Sequence, residues 1–181
     1  MLAVQQIQQA RARALDYFRR AGIVITPLEE ERIEVADFGL GDLNRTGLEL
    51  LTYVNTDRYC AKEMVLFPGQ TCPEHRHPAG GSQPGKEETF RCRWGKVYLF
   101  VEGQASANAA VAPPKGDERY YTAARQLVLE PGAQHTIPPD TLHWFQAGKE
   151  GAVISEFSSP SHDESDLFTD ERIVRIPEVE K

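Results

Sequence analysis

The chain has three cysteines in 181 residues, Cys60, Cys72 and Cys92, and no two of them form a CxxC pair. An odd number at such wide spacing argues against a disulfide framework and against a zinc–thiolate centre. Long apolar runs are also missing. No stretch approaches the ~20 residues that cross a bilayer as a helix, and the N-terminus, MLAVQQIQQARARALDYFRR, lacks the unbroken apolar core of a secretory signal. These absences predict a cytoplasmic protein with no membrane association. Positive charge is in deficit: 20 Lys and Arg against 27 Asp and Glu give a formal net charge of −7. Such a field repels phosphate backbones, so nucleic acid is not an expected partner.

What is present is the composition of an ordinary globular protein, 40% hydrophobic and 26% charged, at a length that suits one domain. In residues 4–20 the apolar positions Val4, Ile7, Ala10, Ala14, Leu15 and Phe18 recur at helical spacing, and Gly22 offers a stop. This predicts one amphipathic helix packed on the outside of the domain or on a second subunit. Beyond residue 46 the texture changes to short runs rich in β-branched and aromatic residues, at 48–54, 59–67, 97–102, 125–129, 133–137 and 152–157. Turn pairs such as Pro68-Gly69, Pro131-Gly132 and Pro138-Pro139 separate them, the pattern of an all-β sandwich or barrel. The acidic segment 162–171 reads as a solvated tail or lid.

His75 and His77 are separated by one residue, so on an extended strand both imidazoles project from one face and can grip one ion. Glu88 and His143 can complete the set, three neutral nitrogens and one carboxylate, which suits Mn, Fe, Co, Ni or Zn. Around these residues the chain reads Gly69, five residues, His75-Arg76-His77, a ten-residue gap, Glu88, six residues, Gly95. Further on it reads Gly132, five residues, Pro138-Pro139-Asp140, two residues, His143, three residues, Ala147. Both stretches resemble the motifs of the cupin superfamily, G-x5-H-x-H-x3-4-E-x6-G and G-x5-P-x-G-x2-H-x3-N. The long insertion PAGGSQPGKE makes Glu87 a rival ligand. Glu88 is preferred because it keeps the motif's six-residue spacing to Gly95, and adjacent strand residues face opposite ways. Asp140 and Ala147 replace a motif Gly and Asn at turn positions, and Asp tolerates left-handed backbone.

The resemblance implies a single cupin domain over 1–181, a double-stranded β-helix or jelly-roll barrel. The N-terminal helix would span 1–22, the barrel core about 46–160 and the C-terminal tail 161–181. Fold does not decide function, and a narrower resemblance is carried by CPEHRHP, GKEETFRCRWG and FTDERIVRIPE. These segments resemble the D-lyxose ketol-isomerase family. The resemblance implies manganese as the divalent ion, with cobalt, iron, nickel or zinc as alternatives. It also implies a monosaccharide substrate, D-lyxose with D-xylulose and also D-mannose with D-fructose. Cupins often dimerise, so a homodimer is expected.

Moving a carbonyl between C1 and C2 through a cis-enediol requires a base that carries a proton across one face. Glu156 interrupts the apolar run AVISEF, and Lys62 interrupts YCAKEMVLF on the face of Cys60, Met64 and Leu66, with Glu63 on the opposite face as the rival; one of the two points into the barrel, and Lys62 is preferred. Charged groups stranded in such strands are costly unless function or a partner requires them, so Glu156 and Lys62 are the candidate catalytic residues. Lys86 lies two residues before Glu88 on the same strand face, Trp144 follows His143 directly, and Asp166 belongs to the tail. These three are the candidate substrate contacts. The competing readings are a ferrous cupin dioxygenase using the same four ligands and a non-catalytic sugar-binding cupin.

Overall fold

The computed structural model describes residues 2–80 and 84–175. The centre of the PAGGSQPGKE insertion and the end of FTDERIVRIPE, with the rest of the expected tail, lie outside the described residues.

Helix α1 (Val4–Arg20) starts where the Gln6 side chain accepts from the Ala3 amide at 2.8 Å and ends before Gly22, whose φ of 71° breaks the spiral. Its buried residues Ala10, Ala14, Tyr17 and Phe18 pack against Leu51, Val65, Phe67 and Val153 on the outer face of the sheet. The apolar stripe is used only in part, because Val4 is 49% exposed. A short helix α2 (Pro27–Glu31) was not foreseen. Thr26 and Glu29 form a reciprocal capping box around Pro27 at the first helical position.

Nine strands follow among the described residues: β1 (Glu34–Ala36), β2 (Leu48–Asn55), β3 (Cys60–Leu66), β4 (Thr71–Arg76), β5 (Glu88–Val101), β6 (Arg125–Leu129), β7 (Gln134–Ile137), β8 (His143–Ser158) and β9 (Leu167–Phe168). Paired strands run antiparallel. The apolar runs at 97–102 and 152–157 are the second halves of two long strands, β5 and β8. Both strands bend midway. Gly95 and Gly151 take φ of 73° and 91°, and a Cβ on Gly95 would lie 2.1 Å from the Gly151 carbonyl oxygen, so only glycine permits this crossing.

Each long strand therefore serves two layers. The first runs β1, β2, β3, second half of β8, first half of β5, β7; the other runs β9, β4, first half of β8, second half of β5, β6. Between them Leu50, Met64, Leu66, Phe90, Leu99, Phe145 and Ile154 form the core. This is the expected all-β jelly-roll barrel with an N-terminal helix. The 162–171 segment is not a solvated tail. Thr169 bonds the β4 backbone, and β9 pairs with β4.

Candidate metal centre

Strand β4 brings His75 to the barrel interior, with its Cα opposite that of His143 at the start of β8. His77 follows just past the end of β4, and Glu88 opens β5. Of the neighbouring carboxylates, Glu88 turns inward at 1% exposure while Glu87 faces solvent, as alternation along a strand requires. Asp140, where the motif has glycine, adopts φ of 56°, the left-handed turn that residue type tolerates. The ring centroids of His75 and His143 are 4.2 Å apart and those of His75 and His77 are 4.9 Å apart. One ligand atom from each of His75, His77, Glu88 and His143 lies within 4.8 Å of the others, and all four residues are buried.

The three imidazoles are oriented from behind. Nδ1 of His75 meets the Pro73 carbonyl at 2.8 Å, Nδ1 of His143 meets the Thr141 carbonyl at 2.9 Å, and Nδ1 of His77 meets Asp166 at 2.5 Å. Each acceptor fixes the ring proton on Nδ1 and turns Nε2 inward, as outer partners of metal-bound histidines do. Nε2 of His143 and Nε2 of His77 lie 2.9 and 3.3 Å from Oε1 of Glu88, yet none of these three buried atoms has a hydrogen bond of good geometry among the described residues. Buried polar atoms without partners are costly, and a divalent cation would satisfy all three. Burial and the neighbouring imidazoles hold His75 well below the usual histidine range, in the neutral form that ligates. Burial alone would raise Glu88, but Lys86 and His77 hold its carboxyl well below the usual range. The donor set thus fits a divalent metal.

Beside the cluster, the Lys86 ammonium sits 2.7 Å from Glu88 Oε2 and 2.7 Å from Glu156 Oε1, with all three side chains buried. Lys62 is cross-strand partner to Glu156, but it donates to both carboxylate oxygens of Asp163 and to Ser161 Oγ, each at 2.9 Å. An ammonium with its protons so engaged has no lone pair to accept another, so this geometry runs against Lys62 as the base. Sequence alternation gave its face correctly, but the partner Asp163 comes from the distant tail.

The cavity is lined by His75, His77, Lys86, Glu88 and Glu156, with Lys62, Asp163, Asp166 and Arg175 as further charged groups and Phe38, Phe90, Phe145 and Phe168 as apolar walls. Asp166, expected as a substrate contact, thus lines the cavity. Trp144 does not. It faces outward from β8, stacks on Phe100 at 3.9 Å and donates to the Ala123 carbonyl at 2.9 Å, and Phe145 takes the inner position. His143 faces inward, so its neighbour must face out. Sequence reasoning missed Asp163, Phe168 and Arg175. Arg175 bonds Glu34 of β1 and lies 3.2 Å from Asp163. Phe168 and Arg175 bracket the FTDERIVR stretch, so that match was the available signal.

Residues 31–181 match the model of the D-lyxose isomerase family. The chain is 63% identical over 180 residues to a D-lyxose/D-mannose isomerase from Thermosediminibacter oceani, covering 99% of each chain. It is 61% identical over 173 residues to a D-lyxose ketol-isomerase from Cohnella laeviribosi, covering 96% of this chain and 95% of the relative. Among solved structures it resembles the L-ribose isomerase of Cellulomonas parahominis with L-ribose, with a TM-score of 0.80 at 17% identity over 95% of this chain and 94% of the other. At that identity the likeness speaks for the fold alone.

Proposed function

The chain belongs to the D-lyxose isomerase family, and from that premise we propose that it interconverts D-lyxose with D-xylulose, and D-mannose with D-fructose. The observation that carries the reading is the convergence of His75, His77, Glu88 and His143 on one buried point beside the Lys86–Glu156 pair. A divalent ion held by those four side chains would polarise the sugar's carbonyl and the adjacent hydroxyl as a Lewis acid. Glu156 is the base of this proposal. It takes the proton from C2 and returns it to C1 on the same face of a cis-enediol, while the hydroxyl proton moves from O2 to O1. Lys86, pinned between two carboxylates, presents its ammonium to the sugar oxygens and draws Glu156 to the site. Asp166 keeps His77 in the tautomer that ligates.

The nine charged or imidazole side chains around the cavity suit a polyol better than the apolar substrate a ferrous dioxygenase would take. We propose further that manganese is the ion and a homodimer the working form. We place the protein in the cytoplasm and treat residues 1–181 as one domain. The decisive experiment incubates the manganese-loaded protein under nitrogen with a panel of aldoses and reads ketose formation, with ion content and solution mass measured on the same sample. Ketose should appear from D-lyxose and D-mannose. No ketose from any aldose removes the proposal.

A further inference from the structure

Glu74 is 1% exposed and stands immediately before His75, yet it does not line the cavity. A carboxyl group that far from water is costly unless hydrogen bonds or a cation compensate. No Lys, Arg or His among the described residues forms an ion pair with it. Four neutral donors do the work. Oε2 accepts from the amides of Thr122 and Ala123, both at 2.6 Å, and Oε1 accepts from the hydroxyls of Thr122 at 3.0 Å and Thr169 at 2.7 Å. The Glu74 carbonyl also accepts from the Thr169 amide at 3.1 Å. One side chain thereby ties the end of the loop before β6, and the tail, to the strand that carries a metal-site histidine.

What the tail brings makes this position matter. Phe168, next to Thr169, is cross-strand partner to His75, and their rings lie 5.4 Å apart. Asp166 holds His77 from behind. Further side-chain ties from the tail to the barrel include ion pairs with a partly exposed member: Arg172–Asp117 with Arg172 at 45%, Arg175–Glu34 with Glu34 at 43%, and Lys62–Asp163 with Asp163 at 24% side-chain exposure. Salt screens such pairs and leaves buried neutral bonds almost untouched.

We propose that Glu74 is a positioning residue of the isomerase site, a buried clamp that seats Phe168 and Asp166 against His75 and His77. The role at the site rests on the function proposed above, whereas the clamp itself can be tested without turnover. In Glu74→Gln the amide oxygen can take the place of Oε2 toward the two backbone amides, and the NH2 group can donate to the two hydroxyls. That variant should match the parent protein. Glu74→Ala loses all four bonds, and Thr169→Val loses only the hydroxyl bond to the tail.

The test measures hydrogen exchange at 166–170, manganese affinity by titration, and kcat and KM for D-lyxose, each at low and high salt. For Glu74→Ala the tail amides should exchange faster, increasingly so at high salt. Its manganese affinity should fall ~10-fold or more, the usual scale for an outer partner of a metal ligand, and Thr169→Val should show a smaller change of the same kind. Exchange and affinity unchanged in Glu74→Ala overturn the proposal, as does a Glu74→Gln variant as impaired as Glu74→Ala. Should Glu74→Ala not fold, unchanged tail exchange in Thr169→Val is the overturning result. If the parent protein turns over no sugar while exchange and affinity respond as expected, the proposed function fails and the clamp stands.

Discussion

On β3, Lys62 faces the cavity and Glu63 faces outward; on β2, Leu50 faces the cavity and Glu49 lies beneath α1. Both faces of the layer these strands share with β5 and β8 bury carboxylates, at 1% exposure for Glu88 and 3% for Glu156 inside, and at 0% for Glu49 and 6% for Glu63 outside. Their partners differ. Inside, Glu88 and Glu156 share Lys86, Asp163 takes Lys62 and Arg175, and Asp166 takes His77. Outside, Glu49 meets the Gln70 amide at 3.3 Å and Glu63 meets the Ser155 hydroxyl at 2.9 Å. Burial pushes Glu49 up to about 8 and Glu63 up to about 7, whereas Lys62 and Arg175 outweigh burial and hold Asp163 well below the usual range. Depth of burial is therefore a poor guide to charge. Cations nearby hold Glu88 and Asp163 in the ionised form, whereas Glu49 and Glu63, without an equivalent partner, keep their protons to higher pH.

The largest expected effect tests the inner face at its metal-binding end. Glu88→Ala should abolish stoichiometric manganese binding and turnover, while Glu87→Ala, one residue away on the other face, should keep both. Metal analysis after dialysis decides it, and the reverse result would move the ligand to Glu87. A chelator should likewise stop turnover, with manganese or cobalt restoring it.

Next in size is the base. Glu156→Gln should lose ~100-fold or more in kcat with metal content intact, while Glu63→Gln, on the outer face of the neighbouring strand, should stay within about twofold of the parent. In heavy water, solvent deuterium should enter the product at the carbon that receives the proton. Lys62→Met should act mainly on KM, because it frees Asp163 and with it the tail. A Lys62→Met variant crippled in kcat, beside an active Glu156→Gln, would restore Lys62 as the base.

The sequence made much of the inner face readable. Alternation assigned Glu88, Glu156 and Lys62 to the cavity, and the HxH pair with its flanking glycines picked out residues that the fold brings together in one buried cluster. The partners were not readable, because a hydrogen bond such as Lys62 to Asp163 spans 101 positions and leaves no periodic trace. The tail was misread because its run of acids resembles a solvated surface, while two of the groups that neutralise it, Lys62 and His77, lie far back along the chain. Strand β4 was hard to see as a strand, since TCPEHR carries proline and charge where β-formers are expected. Trp144 failed for a simpler reason. Adjacent strand residues cannot both face the cavity, and His143 already does.

The smallest expected effect concerns Glu49 on the outer face. It is fully buried, it accepts one long hydrogen bond from Gln70, and its Oε2 has no hydrogen-bond partner among the described residues. Folded, it keeps its proton up to about pH 8, whereas its ordinary value is 4.5. Between those two values the folded chain binds more protons than the unfolded one, so stability falls as pH rises through that window. Glu49→Gln removes the titration without changing the shape. Near pH 4.5 the protonated acid and the amide are close equivalents, each with one acceptor toward Gln70 and one poorly matched donor, and the variant should be as stable as the parent. At pH 9 the parent must bury a charge or open locally to hydrate it, and the variant should be more stable by on the order of 1–2 kcal/mol. Urea unfolding of both proteins from pH 5 to pH 9 reads this directly. A stability difference that does not change with pH would mean that Glu49 finds a cationic partner as the inner carboxylates do, and the contrast between the two faces would then rest on Glu63 alone.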